Sequence, residues 1–310
     1  MHISFIIISY NTRELTGNAL RSVYEQTRGV AFDVWVVDNA STDGSAEMIA
    51  AQFPAVHLVR CTANLGFGKA NNLALKEIAS PYVFLLNPDA QLLNNAAKIY
   101  FDFMEQPENR NVAACGGALY YEGLAPQPSF GNFPSAAGVL FEQAVLHKFF
   151  RGFYNRRLAT GVKEHPRAVT TVDYLSGAAL FSRKDVLDKT GFFDEDFFLY
   201  FEETELSYRF SQCGHVSCFI PDAKILHVRR QSTVAEEPLG KWARYKQSEF
   251  MFYRKCYGSM RLTLIKSIYL LSFVFRLLLK QDRRYWQYIK VVLNAPHRGL
   301  RKSMNAAAAN

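Results

Sequence analysis

Residues 82–90 read Tyr-Val-Phe-Leu-Leu-Asn-Pro-Asp-Ala, five strand formers in an unbroken apolar run that ends on a polar triplet. Such a run fits a parallel strand covered on both faces, and the carboxyl end of such a strand is where an open α/β sheet places its ligands. Pro88 has no N–H for a ladder and drives Asn87 away from helical backbone angles. The strand therefore stops, and Asp89 is presented from a stiff turn. Asp89 either caps a helix expected over about 91–105 or is a carboxylate aimed out of the sheet edge for chemistry. Its neighbours favour the second reading.

Three more strand patterns precede it, over 3–9, 33–38 and 56–60, each followed by a polar break and a helical pattern. Repeated β-α units of this length predict a mostly parallel sheet with right-handed crossovers. The polar turns at the four strand ends carry Ser9 and Asn11; Asp38; Asn64, Gly66 and Lys69; and Asn87 and Asp89. In such a sheet these turns share one crevice and face one ligand. The helix N-termini behind them offer free N–H groups and a positive dipole end, which suits phosphate. A nucleotide is the ligand this arrangement predicts.

A chain of 310 residues holds one large α/β domain or two modest ones. Its five cysteines form no C-x-x-C pair, and their odd number argues against a disulfide framework, so a reducing compartment is expected. No basic leader with a cleavable apolar segment opens the chain. The net charge of +8 is unevenly spread: residues 1–240 hold 21 Lys and Arg against 26 Asp and Glu, and residues 241–310 hold 15 against 2. The basic tail points to an anionic partner.

After an apolar stretch over 112–119 the pattern loosens. Pro126, Pro128 and Pro134 mark a long connection in which Lys148, Arg151, Arg156, Arg157, Lys163 and Arg167 interleave with Phe149, Phe150, Phe153 and Tyr154. It reads equally as a functional loop or a solvated linker. Regularity returns over 171–182, with the small residues Ser176-Gly177-Ala178-Ala179. Residues 191–209 then set six acids among aromatic rings and lead into a helix to about Gln212. Acids suit a first helical turn; acids beside rings also let one carboxyl be held desolvated, as a general base requires. A strand over 216–220, residues 224–227 and Arg229-Arg230-Gln231-Ser232 close this body.

The ordered set Ser9-Tyr10-Asn11, Val37-Asp38-Asn39-Ala40-Ser41-Thr42-Asp43-Gly44-Ser45, Asn64-Leu65-Gly66-Phe67-Gly68, Leu86-Asn87-Pro88-Asp89-Ala90, Gly191-Phe192-Phe193-Asp194 and Phe198-Leu199-Tyr200-Phe201-Glu202-Glu203, with His227 downstream, resembles the family 2 glycosyltransferases of the GT-A fold, in particular their bacterial rhamnosyltransferase-like branch. The resemblance implies a Rossmann-like, mostly parallel sheet flanked by helices, with a C-terminal helical extension. It implies an inverting transfer of a sugar, rhamnose favoured, from a pyrimidine diphospho-sugar to a saccharide or lipid-linked acceptor. In that pattern Asp38 meets the pyrimidine, Asp89 holds a divalent metal, Mg²⁺ or Mn²⁺, that bridges the diphosphate, and His227 stands near the diphosphate or metal. The catalytic base falls on Glu203. This chain has Glu202-Glu203-Thr204-Glu205 where the family usually has Glu-Asp-x-Asp, which leaves Glu202 as the other candidate base.

Two rival readings stand beside this one. Gly66-Phe67-Gly68-Lys69-Ala70-Asn71 imitates the fingerprint of an NAD-dependent oxidoreductase, but it lacks the third glycine and follows the third strand rather than the first. A non-catalytic relative that binds a membrane or nucleic acid through its tail is the other. The expected domains are 1–237, catalytic (1–119 nucleotide-sugar half, 120–170 basic insertion, 171–237 acceptor half), and 238–310, a basic helical extension. Within the tail, residues 261–280 hold only nine consecutive uncharged residues, 267–275, far short of the ~20 that span a bilayer. Wound as a helix, Arg261, Lys266, Arg276 and Lys280 share one arc of roughly 140° and the rest is almost wholly apolar. Arg283, Arg284, Trp286, Tyr288 and Lys290 follow. Residues 261–302 are expected to meet an anionic membrane surface on the cytoplasmic side, with no nucleic acid; packing of the apolar face on the body is the alternative.

Overall fold

The computed structural model describes residues 2–228 and 237–295. The run 229–236, which contains the expected closing segment, and tail positions 296–302 lie outside the described residues. The elements are β1 (His2–Ser9), α1 (Arg13–Gln26), β2 (Ala31–Asp38), α2 (Ser45–Gln52), β3 (His57–Arg60), α3 (Phe67–Glu77), β4 (Tyr82–Leu86), β5 (Ala90–Leu92), α4 (Ala96–Glu105), β6 (Val112–Tyr120), β7 (Phe130–Gly131), α5 (Ala136–Gln143), α6 (Arg151–Arg157), β8 (Thr170–Val172), β9 (Tyr174–Leu175), β10 (Ala179–Arg183), α7 (Lys184–Thr190), α8 (Glu202–Gln212), β11 (Val216–His227), α9 (Pro238–Phe252), α10 (Ser259–Lys280) and α11 (Arg284–Asn294).

They form two compact units. The first comprises Met1–Gly131, Gly161–Asp194 and Glu202–Ser232. Its sheet runs β3-β2-β1-β4-β10-β6-β11-β5, with β8 on β11. The first four strands are parallel; β10 enters antiparallel between β4 and β6, and β11 lies parallel to β6. Alternation divides β4: Tyr82, Phe84 and Leu86 join Ile3, Phe5 and Ile7 under α1, α2 and α4, while Val83 and Leu85 join Ile6 and Ile8 under α3, α7 and α8. Both faces are thus covered, which is why the run had no polar residue to give. Phe84 stacks on Phe5 at 5.0 Å and meets Tyr100 edge-on at 5.4 Å.

Two local expectations differ from the structure. The helix expected from about Gln91 starts at Ala96; Ala90–Leu92 instead forms β5, pairing Ala90 with His227. The free edge of β11 supplies ladder partners there, so Asp89 caps no helix. Residues 216–220 and 224–227 form one strand, β11, with a register shift between Ile220 and Lys224 that absorbs Pro221. There the Ala223 carbonyl presses on β6 so closely that a Cβ on Gly117 would lie 2.3 Å from it.

The second unit comprises Asn132–Thr160, Glu195–Phe201 and Thr233–Asn310. Residues 132–160, read from sequence as part of an insertion in the catalytic domain, therefore pack with the C-terminal helices. Val139 of α5 joins Phe250, Tyr253, Leu262, Ile265, Tyr269, Phe273, Ile289 and Val292 in one core. The aromatic loop before α8 is held in this unit by a 2.7 Å Lys255–Asp196 ion pair and by Ser248 Oγ donating to the Leu199 carbonyl at 2.8 Å.

By length and composition α10 could cross a membrane. One side of it is packed: Leu262, Ile265, Tyr269 and Phe273 are buried. At 100° per residue these four fall in the half of the helix that carries Lys266 and Arg276. Arg276 donates to the Gln143 carbonyl at 2.6 Å, and Lys266 sits 5.2 Å over the Phe250 ring. The face that packs is the aromatic and charged one. The apolar face points outward, with Met260 89%, Leu271 72%, Leu278 71% and Phe275 62% exposed.

Candidate active site

The site is built at the carboxyl ends of β1, β2, β3 and β4. Asn11 takes a left-handed conformation (φ 52°) and joins the first two turns: its N–H donates to Ser41 Oγ at 3.0 Å, and its Oδ1 accepts from the Thr42 N–H at 2.8 Å. Ser9 is fully buried in a hydroxyl network with Thr12 and Thr16, so it shapes the turn. Asp38 is 4% exposed. Its Oδ2 accepts from the Ser41 N–H at 3.1 Å, and its Oδ1 is buried with no partner among the described residues. A buried carboxylate oxygen left unpaired is costly unless a ligand donor meets it.

Asn39 ties the third turn to the second. Its Nδ2 donates to Asn64 Oδ1 at 2.9 Å, its Oδ1 accepts from the Leu65 N–H at 2.8 Å, and Asn64 Oδ1 also accepts from the Gly66 N–H. Gly66, at φ 80°, lets the chain turn into α3, where Lys69 stands exposed in the first turn.

At the fourth turn the Asn87 N–H donates to the Ala178 carbonyl at 2.9 Å, which ends β4 against β10. Asp89 is buried, with Oδ1 3.3 Å from His227 Nε2. His227 Nδ1 lies 2.7 Å from Gln127 Oε1, and the Gln127 amide donates to the His227 carbonyl at 2.7 Å. Since the amide NH₂ is committed to that carbonyl, Oε1 accepts and Nδ1 carries the proton. A neutral His227 then turns the bare lone pair of Nε2 toward Asp89. Facing lone pairs at this distance fit either a second proton on the imidazole or a cation between the groups. One carboxylate and one imidazole, with ligand oxygens completing the shell, suit a divalent ion.

Glu202 and Glu203 open α8 after two successive left-handed residues, Tyr200 (φ 73°) and Phe201 (φ 71°). Burial pushes the Glu202 carboxyl well above the ordinary carboxylate range, and the charge of Glu203 adds to this. Burial raises Glu203 too, but its own backbone N–H and those of Gly177 and Thr204 favour its ionised form. Both carboxyls are pushed up, and the backbone N–H groups make Glu203 the one that ionises more readily. Gly177 adjoins Ala178, so the chain that ends β4 also holds Glu203. Glu205 has a different place: its carboxylate takes Arg209 Nε at 2.8 Å, and Arg209 donates onward to the Thr190, Gly191 and Phe192 carbonyls.

The sequence reading missed Asn39, Asn72, Gln127 and Gly177 as individual residues. Asn72 clamps Phe193 through both backbone groups, N–H to Oδ1 at 3.0 Å and Nδ2 to the carbonyl at 2.9 Å. It sits one turn inside α3, and its polarity on a buried helical face was the available signal. Gln127 carried none, lying in the irregular stretch between Pro126 and Pro128.

The family model for glycosyl transferase family 2 matches residues 4–185, more than half of the chain. The chain belongs to glycosyl transferase family 2. This glycosyltransferase is 26% identical over 233 residues, 71% of its length and 73% of the relative's, to an N-acetylglucosaminyl-diphospho-decaprenol L-rhamnosyltransferase of Mycobacterium tuberculosis. It is 26% identical over 211 residues, 67% of its length and 61% of the relative's, to the low-salt glycan biosynthesis hexosyltransferase Agl10 of Haloferax volcanii. Among solved structures it resembles the mannosyltransferase PcManGT from Pyrobaculum calidifontis, in complex with GDP-Man and Mn²⁺, at a TM-score of 0.57 and 18% identity over 99% of this chain and 75% of that one. The glycosyltransferase fold is thus GT-A, and the NAD-dependent rival falls away.

Proposed function

We propose that this glycosyltransferase moves a sugar, L-rhamnose favoured, from a pyrimidine diphospho-sugar to a hydroxyl of a lipid-linked saccharide at the cytoplasmic face of a membrane, with inversion. The unpartnered Asp38 Oδ1 is the observation that supports a nucleobase with a ring N–H to give, and the choice of a pyrimidine over guanine follows the family resemblance. A uracil or thymine ring has an imide N–H to give it, and cytosine has an acceptor at that position. The rhamnosyl part and the lipid-linked acceptor are supported by the mycobacterial relative.

Asp89 and His227 would hold Mg²⁺ or Mn²⁺, which supplies charge neutralisation for the departing diphosphate. Gln127 keeps His227 in the tautomer that leaves Nε2 free for that task. Glu203 takes the proton of the acceptor hydroxyl as its oxygen bonds to the anomeric carbon; the bond from that carbon to the diphosphate oxygen breaks, and the nucleoside diphosphate leaves. Glu202 stays protonated beside it, which keeps a second negative charge away from the arriving hydroxyl.

The membrane assignment is supported by the outward apolar face of α10 and by the basic composition of the tail. The buried side of α10 packs on α5 and α11, which supports a helix that lies along the surface. The test is release of nucleoside diphosphate from dTDP-L-rhamnose and from UDP-sugars, with a polyprenyl-diphosphate-linked saccharide acceptor and added Mg²⁺ or Mn²⁺. Transfer from neither donor class in the presence of both metals would sink the proposal.

A further inference from the structure

We infer that the segment carrying α5 and α6 is a second membrane-contacting element, whose aromatic side chains enter the lipid while its cations meet anionic headgroups. The inference rests on the membrane attachment proposed above and names a part of the chain that attachment did not include. The aromatic residues stand out first: Phe149 is 80% exposed, Phe150 56% and Phe153 55%, with Leu140 at 50% beside them. Phe150 and Phe153 both touch Phe141, at ring distances of 6.4 and 5.8 Å, so they form one cluster on a common footing. Exposed phenylalanines gathered in this way mark an interaction surface rather than the scattered apolar residues that any protein shows.

Charge decides what covers it. Between Ala144 and Thr160 the sequence has no acid and four cations, Lys148, Arg151, Arg156 and Arg157. All four are exposed, and none forms a salt bridge among the described residues. Phenylalanine flanked by unpaired arginine and lysine matches a bilayer with anionic lipid: rings below the headgroups, cations among them. The segment also sits firmly in the unit that carries the outward face of α10. Val139 is in the shared core, Ser272 Oγ bonds Gln143 Oε1 at 3.1 Å, and Arg276 holds the Gln143 carbonyl. A second attached element raises the avidity of the first without any new contact between them.

The experiment is co-sedimentation of the full chain with vesicles of phosphatidylcholine alone and of phosphatidylcholine with phosphatidylglycerol. Wild type is compared with Phe149→Ser/Phe150→Ser/Phe153→Ser, with Arg151→Gln/Arg156→Gln/Arg157→Gln, and with Leu271→Ser/Phe275→Ser/Leu278→Ser on α10. All the altered side chains are exposed, and far-UV circular dichroism checks that each variant is folded. The phenylalanine variant is expected to lose about tenfold or more in partition to anionic vesicles, and the arginine variant to lose its preference for them. A Phe150→Trp reporter should be quenched by lipids brominated on the acyl chain beyond the quenching that the native Trp35, Trp242 and Trp286 show in wild type. If wild type binds while the phenylalanine variant binds equally well, or the bound reporter is not quenched beyond wild type, the inference is overturned and α10 alone carries the attachment. If wild type binds neither vesicle, the membrane reading itself fails and takes this inference with it. If light scattering shows the phenylalanine cluster holding two copies of the chain together, the partner is the chain itself and the inference is wrong.

Discussion

Three acids with similar side chains stand in three different surroundings here. Glu205 is paired with Arg209, Glu202 is buried without a cation among the described residues, and Glu203 is half-buried and met by backbone N–H groups. Glu203→Gln is expected to lower kcat by two orders of magnitude or more with little change in donor affinity, read by single-turnover kinetics and donor titration. Glu202→Gln should keep most turnover; if it alone abolishes transfer, the base is Glu202. The raised carboxyl of Glu202 also has a stability consequence. Above about pH 4.3 the unfolded chain has released this proton while the folded chain still holds it, so stability falls as pH rises from there toward the folded value. Glu202→Gln should flatten that slope and melt no lower than wild type at neutral pH, which differential scanning calorimetry across pH would show. Gln127→Leu is expected to weaken Mn²⁺ binding by roughly ten- to a hundredfold, measured by calorimetric titration in the presence of nucleoside diphosphate. Unchanged affinity would mean that the tautomer of His227 is set by something else.

At the scale of elements, α8 depends on the strap that Arg209 makes to the carbonyls of Thr190, Gly191 and Phe192, at the end of α7 and in the loop that follows it. Arg209→Met leaves those carbonyls and Glu205 unpaired and should destabilise the fold by about 2 kcal/mol in urea unfolding, since hydrogen bonds to charged groups carry ~1.5–3 kcal/mol. In the helical unit, α9 buries a 2.7 Å Lys246–Glu249 pair whose ammonium also meets the Tyr269 hydroxyl. Nearby, the buried Tyr253 hydroxyl has no partner among the described residues. Tyr253→Phe should therefore be neutral or slightly stabilising, whereas Lys246→Met, which strands a buried carboxylate, should cost about 3 kcal/mol or more. Equal losses from both variants would show that the Tyr253 hydroxyl is engaged after all.

At the scale of the whole molecule the chain is a mildly acidic GT-A body and a basic helical unit that draws on three separate stretches of sequence. Removing everything after Gly258 would strip Leu262, Ile265, Tyr269 and Phe273 from the core around Phe250 and Tyr253, so a truncated chain is expected to aggregate whether or not the tail binds lipid. Surface variants of α10 are the sounder probe. Leu271→Ser/Phe275→Ser/Leu278→Ser should leave the melting temperature within a few degrees of wild type and reduce vesicle binding by about tenfold or more, read by co-sedimentation.

The alternating sheet, the four polar turns and the acids ahead of α8 were legible because each follows from short-range pattern. Apolar runs stop at residues such as Pro88, and the turns at the carboxyl ends of the strands line the ligand crevice of an open α/β sheet. Tertiary structure alone decided the rest. Residues 90–92 became a strand because an edge of β11 from more than a hundred residues away offered hydrogen bonds to it, and no local propensity records that partner. Gln127 joined the site because β11 brought His227 beside it. The helical wheel of α10 separated charge from oil correctly but could not say which face was inward. Aromatic rings and aliphatic stems of Lys266 and Arg276 bury as readily as leucine when hydrogen-bond acceptors and ring faces wait for the charged ends, and those came from α5 and α9.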